Sequence, residues 1–257
     1  MSGKKARERR QNGQDLRSLV GSQPRLPRIK GPVHQFDALE VAAYLAVRRS
    51  LDDLLLGSDG LLKVQPMEKL AHIPWSHLRI WMHEMGYFTL PTRELVDWLY
   101  REIRGRSAIE ICAGSGVLGR ALCVPCIDAQ VHRRPDLAAF YALTKQPVPC
   151  IGPHVVYLDA NSAVAKYHPR VVFGTYITQR SQPGEPPTAA SSVHGVDQAA
   201  IVRRVETYIA IGSKAVHGKM RVNRSSTRTC ELPGLVSRAV PGDGIAFIWD
   251  APGTVDR

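Results

Sequence analysis

The stretch Glu110-Ile-Cys-Ala-Gly-Ser-Gly-Val-Leu-Gly119 decides the fold of this 257-residue chain. It begins within a short apolar segment, 108–111, and its glycines at 114, 116 and 119 have the G-x-G-x-x-G spacing. Glycines at this spacing allow a tight strand-to-helix turn and a close approach of the backbone to a ligand. The spacing alone does not name the ligand, because nicotinamide and flavin sites share it. It predicts a ligand-binding strand, loop and helix.

The acidic residue of this stretch narrows the class of ligand. Glu110 stands inside the predicted strand, four residues before Gly114. A carboxylate near the loop would repel a pyrophosphate and attract a ligand that carries positive charge. The alternative is that Glu110 caps the loop structurally.

Around this stretch, apolar segments of strand length alternate with helical patterns. Strands are predicted at 108–111, 125–128, 155–158, 171–176 and 208–211, and helices at 117–122, 135–143, 162–167 and 196–207. Such alternation predicts an α/β fold with a doubly wound, mostly parallel sheet covered on both faces. Residues 235–240 and 245–249 flank a Pro-Gly-Asp-Gly turn, which predicts a C-terminal antiparallel hairpin.

The sequence before the glycine loop divides into a basic tail and a helical region. Helices are predicted at 36–56, from an N-cap at Ser76 to a stop at Gly86, and from Thr92 to Gly105. The predicted organisation is a disordered basic tail at 1–33, a helical cap or lid at 34–105, and a Rossmann-like cofactor-binding domain at 106–257.

Composition excludes several classes of protein. No apolar run approaches the roughly 20 residues needed to span a bilayer, and no secretory signal opens the chain, so we expect a cytoplasmic protein without membrane contact. The five cysteines include one close pair, Cys123 and Cys126, and a structural zinc site would need a second pair. We therefore expect no metal site.

The segment from Glu110 to Gly119 resembles motif I of the class I S-adenosylmethionine-dependent methyltransferases, and the resemblance extends over about residues 107–249. In that family an acid after the second strand binds both ribose hydroxyls, which matches Asp128. An Asp-Ala pair after the third strand contacts adenine, which matches Asp159 and Ala160, although an N-cap is the alternative for Asp159. The C-terminal hairpin corresponds to the family's reversed strands. The resemblance implies that the cofactor S-adenosyl-L-methionine is held by Glu110, Cys112, Ala113, Gly114, Ser115, Gly116, Asp128, Asp159 and Ala160.

The resemblance implies an enzyme that transfers a methyl group, and the sequence leaves its acceptor open. The Asp/Asn-Pro-Pro-aromatic motif of amino-directed nucleic-acid methyltransferases and the Pro-Cys nucleophile of cytosine-carbon methyltransferases are both missing after the fourth strand. Tyr176, Gln179 and Arg180 follow this strand and are candidates for shaping the acceptor site, or are ordinary strand-end polar residues. His194 is a candidate base or an exposed loop histidine.

The net charge of +11 is unevenly distributed, and most of it lies in the N-terminal tail. Residues 1–30 contain nine Lys or Arg and two acids, and 212–230 contains five Lys or Arg and no acid. Both segments are candidates for binding nucleic acid, and solvated segments are the alternative. Two other functions therefore stay open: a non-catalytic cofactor-binding module that contacts nucleic acid through these segments, and a nicotinamide-dependent oxidoreductase.

Overall fold

The centre of the fold is a seven-stranded sheet. The computed structural model describes residues 36–144, 148–182, 184, 191–232 and 234–252, so the predicted basic tail lies outside the described residues. The strands are β1 Thr89–Leu90, β2 Ala108–Ile111, β3 Cys126–Asp128, β4 Val156–Tyr157, β5 Val171–Thr175, β6 Gln179–Arg180, β7 Ser191–Ser192, β8 Thr207–Ser213, β9 Arg228–Glu231, β10 Val236–Ser237 and β11 Gly244–Asp250. The central sheet has the order β4-β3-β2-β5-β8-β11-β9.

The direction of the strands confirms the predicted fold class. β2, β3, β4, β5 and β8 pair in parallel, and β11 runs antiparallel to both of its neighbours, β8 and β9. The strands that follow β2 in the chain, β3 and β4, lie on one side of it, and the later strands lie on the other. The order therefore reverses between β2 and β5, and such a reversal opens a crevice at the carboxyl ends of the strands.

Helices cover both faces of the sheet. They are α1 Ala38–Leu55, α2 Met67–Ala71, α3 Trp75–Glu84, α4 Arg93–Ile103, α5 Val117–Ala121, α6 Pro135–Thr144, α7 Ala160–Tyr167, α8 Gln198–Val202 and α9 Lys214–His217. α7 and α8 pack on one face through Ala163, Val164 and Ile201. α4 packs on the other through Leu95, Leu99 and Ile103, so the third predicted cap helix belongs to the sheet layers. No helix in the described ranges is long and apolar enough to cross a membrane.

The N-terminal helices form a second apolar core beside the sheet. Trp81 of α3 is fully buried, stacks on Tyr87 and donates its indole N–H to Asp52 at 2.8 Å. The same cluster includes Val117 of α5 and Val236 of β10. β10 also pairs antiparallel with β1, so the helical region is joined to the C-terminal part of the chain by hydrogen bonds as well as by packing.

Two local predictions are wrong. Segment 235–240 does not pair with β11: its strand β10 pairs with β1, and the antiparallel neighbours of β11 are β8 and β9. The reason is that Val236 is buried in the core of the helical region, which local sequence does not reveal. Ser76 is not an N-cap, because α3 already begins at Trp75 after Pro74, whose restricted φ suits the start of a helix. Thr92 does cap α4, since its side chain accepts the Leu95 amide.

The end of α3 offers a test of how tightly the helical region packs. Gly86 and Gly105 both have left-handed φ, +74° and +69°, but a Cβ at Gly86 would lie 2.2 Å from the Val148 carbonyl oxygen, whereas one at Gly105 meets nothing within 4 Å. Replacing either glycine by alanine costs about 1 kcal/mol for the left-handed conformation. Gly86→Ala adds a backbone clash, so we expect its free energy of unfolding in urea to fall by about 2 kcal/mol or more. Equal losses in Gly86→Ala and Gly105→Ala would contradict this packing.

Candidate functional site

A cavity of about 420 Å³ lies at the carboxyl ends of β2, β3, β4 and β5, where the strand order reverses. This is the place at which open α/β sheets bind ligands. Residues from all four strand ends line it: Cys112, Ala113, Gly114, Ser115, Asp128, Ala129, Leu158, Asp159, Ala160, Asn161, Thr175 and Tyr176. The structure thus brings together seven of the nine residues predicted to hold the cofactor, and the other two are Glu110 and Gly116.

Asp128 is hydrogen-bonded to the glycine loop. Its Oδ2 accepts the Gly114 amide at 2.9 Å and its Oδ1 accepts the Gln130 amide at 2.6 Å. Each carboxylate oxygen has two lone pairs, so both can accept one further donor from the cavity. The side chain is half-buried, which keeps it in reach of a ligand. The second strand end and the glycine loop are therefore fixed relative to each other.

Glu110 lies beneath the loop instead of lining the cavity. Its side chain is 2% exposed, and its Oε2 accepts the Gly119 amide of α5 at 2.8 Å. Burial raises the pKa of Glu110 to about 8, against the opposing effect of the Gly119 hydrogen bond. The carboxyl is therefore largely protonated at neutral pH and adds little negative charge to the cavity. This placement matches the structural alternative for Glu110, and a direct contact with a ligand stays a prediction.

The backbone amides of the three motif glycines all donate hydrogen bonds to acceptors within the protein. Those of Gly114, Gly116 and Gly119 donate to Asp128, the Ala113 carbonyl and Glu110, respectively. A Cβ at Gly119 would lie 2.5 Å from the Cys126 sulfur and 2.8 Å from Glu110 Oε2. The third glycine of the motif is therefore required for close packing of α5 on the sheet.

Asp159 has the N-cap role that was the alternative for it, and it also lies at the cavity, so a contact with adenine stays a prediction. It is the N-cap of α7, where its Oδ1 accepts the Ser162 amide at 3.0 Å, and it also lines the cavity. Desolvation raises the pKa of Asp159, but hydrogen bonds from Ser162 and Asn161 and the nearby charge of Arg180 outweigh it and lower the pKa overall. Asp159 therefore presents a negative charge at the cavity.

Two of the three acceptor-site candidates line the cavity. These are Tyr176 and Arg180, whereas Gln179 lies in an adjacent groove. Tyr176 has a left-handed φ of 53° and donates its hydroxyl to Ser237 Oγ at 2.7 Å. Cys112 and Gln130, which follow β2 and β3, also have left-handed φ. Strained backbone of this kind clusters at functional sites.

Sequence reasoning missed part of the lining. Tyr87 and Phe88, which belong to the predicted cap or lid at 34–105, both line the cavity. His194 also lines it, with Nε2 3.0 Å from Asp136 Oδ2. The lining residues that the sequence did not single out at all include Val131, His132, Arg134 and Tyr141. No periodicity or spacing marks them, because they reach the cavity only through the tertiary fold.

No group of His, Cys, Asp and Glu in the described part of the chain is arranged to hold a metal ion. No protein-family model matches the sequence, and no curated protein matches it either.

Among solved structures, the chain is similar to a hypothetical protein from Thermus thermophilus, with 15% identity, a TM-score of 0.32, and coverage of 74% of this chain and 94% of that one. It is similar to the 23S rRNA methyltransferase ErmE, with 15% identity, a TM-score of 0.34 and coverage of 64% and 70%. A third similar structure, a candidate RNA methyltransferase from Pyrococcus horikoshii, has 16% identity, a TM-score of 0.33 and coverage of 61% and 82%. Likenesses this low carry no argument about function.

The raised pKa of Glu110 predicts a distinctive dependence of stability on pH. Between the ordinary value of 4.5 and about 8, the folded protein retains a proton that the unfolded chain releases. The Glu110 contribution to the free energy of unfolding is therefore complete below pH 4.5, falls as pH rises through this window and levels off above it. Glu110→Gln keeps an acceptor for Gly119 and removes the ionisation, so we expect urea denaturation from pH 5 to 8.5 to give a flatter profile than wild type.

The matched control for this measurement is Glu68→Gln, at an exposed position in the first turn of α2. Its profile should run parallel to that of wild type. A Glu110→Gln profile that also parallels wild type would show that Glu110 ionises normally in the folded protein.

Proposed function

We propose that this protein is a methyltransferase that uses S-adenosyl-L-methionine, and that the cavity at the end of β2 holds the cofactor. The observation that carries this proposal is the meeting of the glycine loop 112–115 with two carboxylates, Asp128 and Asp159, in one cavity. Two independent observations support the proposal. The motif Glu110–Gly119 is a feature of local sequence, whereas the position of the cavity follows from the order of the strands.

The residues of the cavity suit the chemistry of this cofactor. Asp128 offers two acceptor oxygens to the two vicinal hydroxyls of a ribose, while backbone amides hold its carboxylate in place. Asp159 and the backbone of Ala160 lie after the next strand, where an adenine amino group would find an acceptor. The volume of about 420 Å³ lies within the usual range for small-molecule sites, about 300–1,000 Å³. The two carboxylates also suit a ligand with cationic groups.

Glu110 and Gly116 have a positioning role in this proposal. Glu110 supports the loop from below through the Gly119 amide, and Gly116 is buried with a left-handed φ of +67°. Neither needs to touch the cofactor, since together they set the path of the backbone from Cys112 to Ser115.

The chain has little covalent chemistry to supply. The cofactor, when bound, provides a methyl group activated by its sulfonium, so the protein's task is to orient the acceptor and to exclude water. Tyr176 is fixed at the end of β5 by its hydrogen bonds to Ser237 and to the Ile211 carbonyl. Tyr87 and Phe88 close the cavity from the side of the helical region.

The same geometry argues against a nicotinamide dinucleotide. A pyrophosphate is held by free backbone amides at the glycine loop and the start of the following helix. Here the amides of all three motif glycines already donate to acceptors of the protein. Asp128 does not distinguish the two cofactors, because nicotinamide sites also have an acid after the second strand that binds the ribose.

Calorimetric titration tests the proposal directly. Wild type is titrated with S-adenosylmethionine, S-adenosylhomocysteine and NADH, beside Asp128→Asn. We expect the first two to bind and NADH not to bind. Asp128→Asn loses the charged acceptor for the ribose, so we expect S-adenosylhomocysteine to bind roughly tenfold more weakly or worse.

The control for Asp128→Asn is Asp97→Asn, at an exposed position on α4 away from the cavity, and its affinity should equal that of wild type. Binding of NADH in place of the two sulfur compounds would refute the proposal and favour an oxidoreductase.

A further inference from the structure

A second groove of about 660 Å³ opens beside the cavity. The two share Arg180, Val193 and Val196 as lining residues. Away from the cavity, the groove is lined by Arg221 and Ser225 and by polar side chains of the segment 179–182. Its acidic lining residue, Asp197, accepts the Ala200 amide as the N-cap of α8. A continuous path therefore leads from the cavity into an open groove whose lining includes two arginines.

Positive charge without internal neutralisation lies along this groove. Arg180 and Arg221 line the groove, and Arg224 precedes its lining residue Ser225 in the chain. All three arginines are exposed, and none forms an ion pair within the described ranges. Other basic residues of the segment 212–230 do have acidic partners. Lys214 pairs with Glu231, and Arg228 pairs with Glu102 and Asp250. Arg221 and Arg224 keep their charge for a partner from outside.

The cavity end of this path carries an aromatic surface. Phe88 is 41% exposed and lines the cavity, and the guanidinium of Arg238 lies 3.7 Å from its ring centroid. The backbone of Arg238 also donates to the Phe88 carbonyl. Tyr176 lies 6.1 Å from Phe88, centroid to centroid, and Tyr141 lines the same cavity. A held, exposed ring at the mouth of a cavity is a stacking surface for a planar ligand.

From these observations we infer that the acceptor is a base within a single-stranded nucleic acid. The base enters the cavity and stacks on Phe88, and the flanking phosphates follow the groove past Arg180 and Arg221. This inference rests on the proposed function for the methyl transfer, but the binding itself does not depend on it.

The aromatic ring and the arginines together favour this acceptor over others. A small planar acceptor would occupy the cavity but would not contact the arginines of the groove. An acidic peptide would pair with these arginines but would not stack on the Phe88 ring. Base stacking on an aromatic ring together with a basic groove along the backbone is how proteins bind single strands. A base inside a duplex is stacked and paired, so it would first have to leave the helix.

Fluorescence anisotropy with labelled single-stranded RNA and DNA of the same sequence, about 20 nucleotides long, tests the inference on the full chain. Affinity is measured over a range of salt concentrations for wild type, Phe88→Leu and Arg221→Gln. We expect Phe88→Leu to weaken binding about fivefold or more without changing the salt slope, because it removes stacking. Arg221→Gln should lower the slope of log Kd against log salt by about 0.7, the contribution of one phosphate on a single strand.

Arg204→Gln is the matched control for charge. Arg204 is exposed and comes just before β8, at the amino edge of the sheet and thus opposite the cavity. Its affinity and salt slope should equal those of wild type. Loss of binding in Arg204→Gln as large as in Arg221→Gln, or no binding by wild type at low salt, overturns the inference.

Calorimetry with S-adenosylhomocysteine on the same preparations separates the two proposals, and urea denaturation reports whether Phe88→Leu is folded. If wild type binds S-adenosylhomocysteine but neither oligonucleotide, the inference fails and the proposed function stands. If an oligonucleotide binds through Phe88 and Arg221 while S-adenosylhomocysteine does not, the nucleic-acid site stands and the proposed function fails. The preference between the RNA and the DNA identifies the polymer.

Discussion

The hydrogen bond from the Gly119 amide to the buried Glu110 carboxyl is the contact on which the site depends. It ties the first turn of α5 to β2, and Gly119 leaves the space that this contact needs. Above it, the Gly114 amide binds Asp128, so the loop is fixed to the end of β3 as well. A buried carboxyl is costly unless it is hydrogen-bonded or protonated, and here it is hydrogen-bonded and its pKa is raised. The loop is thus held from below and from the side before any ligand arrives.

The parts of the fold that sequence predicted are those whose signals are local. The glycine spacing gave the turn between β2 and α5, and Thr92 gave the start of α4 through an N-cap bond to an amide three residues later. Apolar runs between helical patterns predicted the five parallel strands, because a buried strand needs apolar residues on both faces. The exception is β4, an exposed edge strand. Asp128 and Asp159 were predicted from the resemblance to the methyltransferase family, and in the structure they lie at the carboxyl ends of the neighbouring parallel strands β3 and β4.

The parts that sequence did not predict depend on contacts between distant segments. Segment 235–240 and β11 flank a good turn sequence, but Val236 is buried against the helical region, and β10 pairs with β1 instead. The same pairing places Phe88 beside Arg238 and Ser237 beside Tyr176, more than 60 residues away in the chain in each case. The basic segment 212–230 contains no aromatic residue, so a stacking surface was not expected from its sequence. The aromatic residues of the cavity come from other elements.

The acidic and basic side chains in and near the cavity do not pair with one another. This bears on both proposed ligands, the cofactor and the single-stranded nucleic acid. Asp128 and Asp159 lie at the ends of β3 and β4, whereas Arg180 and Arg238 lie on the side of β6 and β10. Arg180 is close enough to lower the pKa of Asp159, yet no ion pair within 4.0 Å joins the two. Burial lowers the pKa of Arg238 to about 10, so it keeps its charge at neutral pH. Had these groups paired with one another, each would have lost the capacity to bind a charged ligand. Because no ion pair joins them, Asp128 and Asp159 keep their charge for a cationic ligand and Arg180 keeps its charge for an anionic one, as the two proposals require.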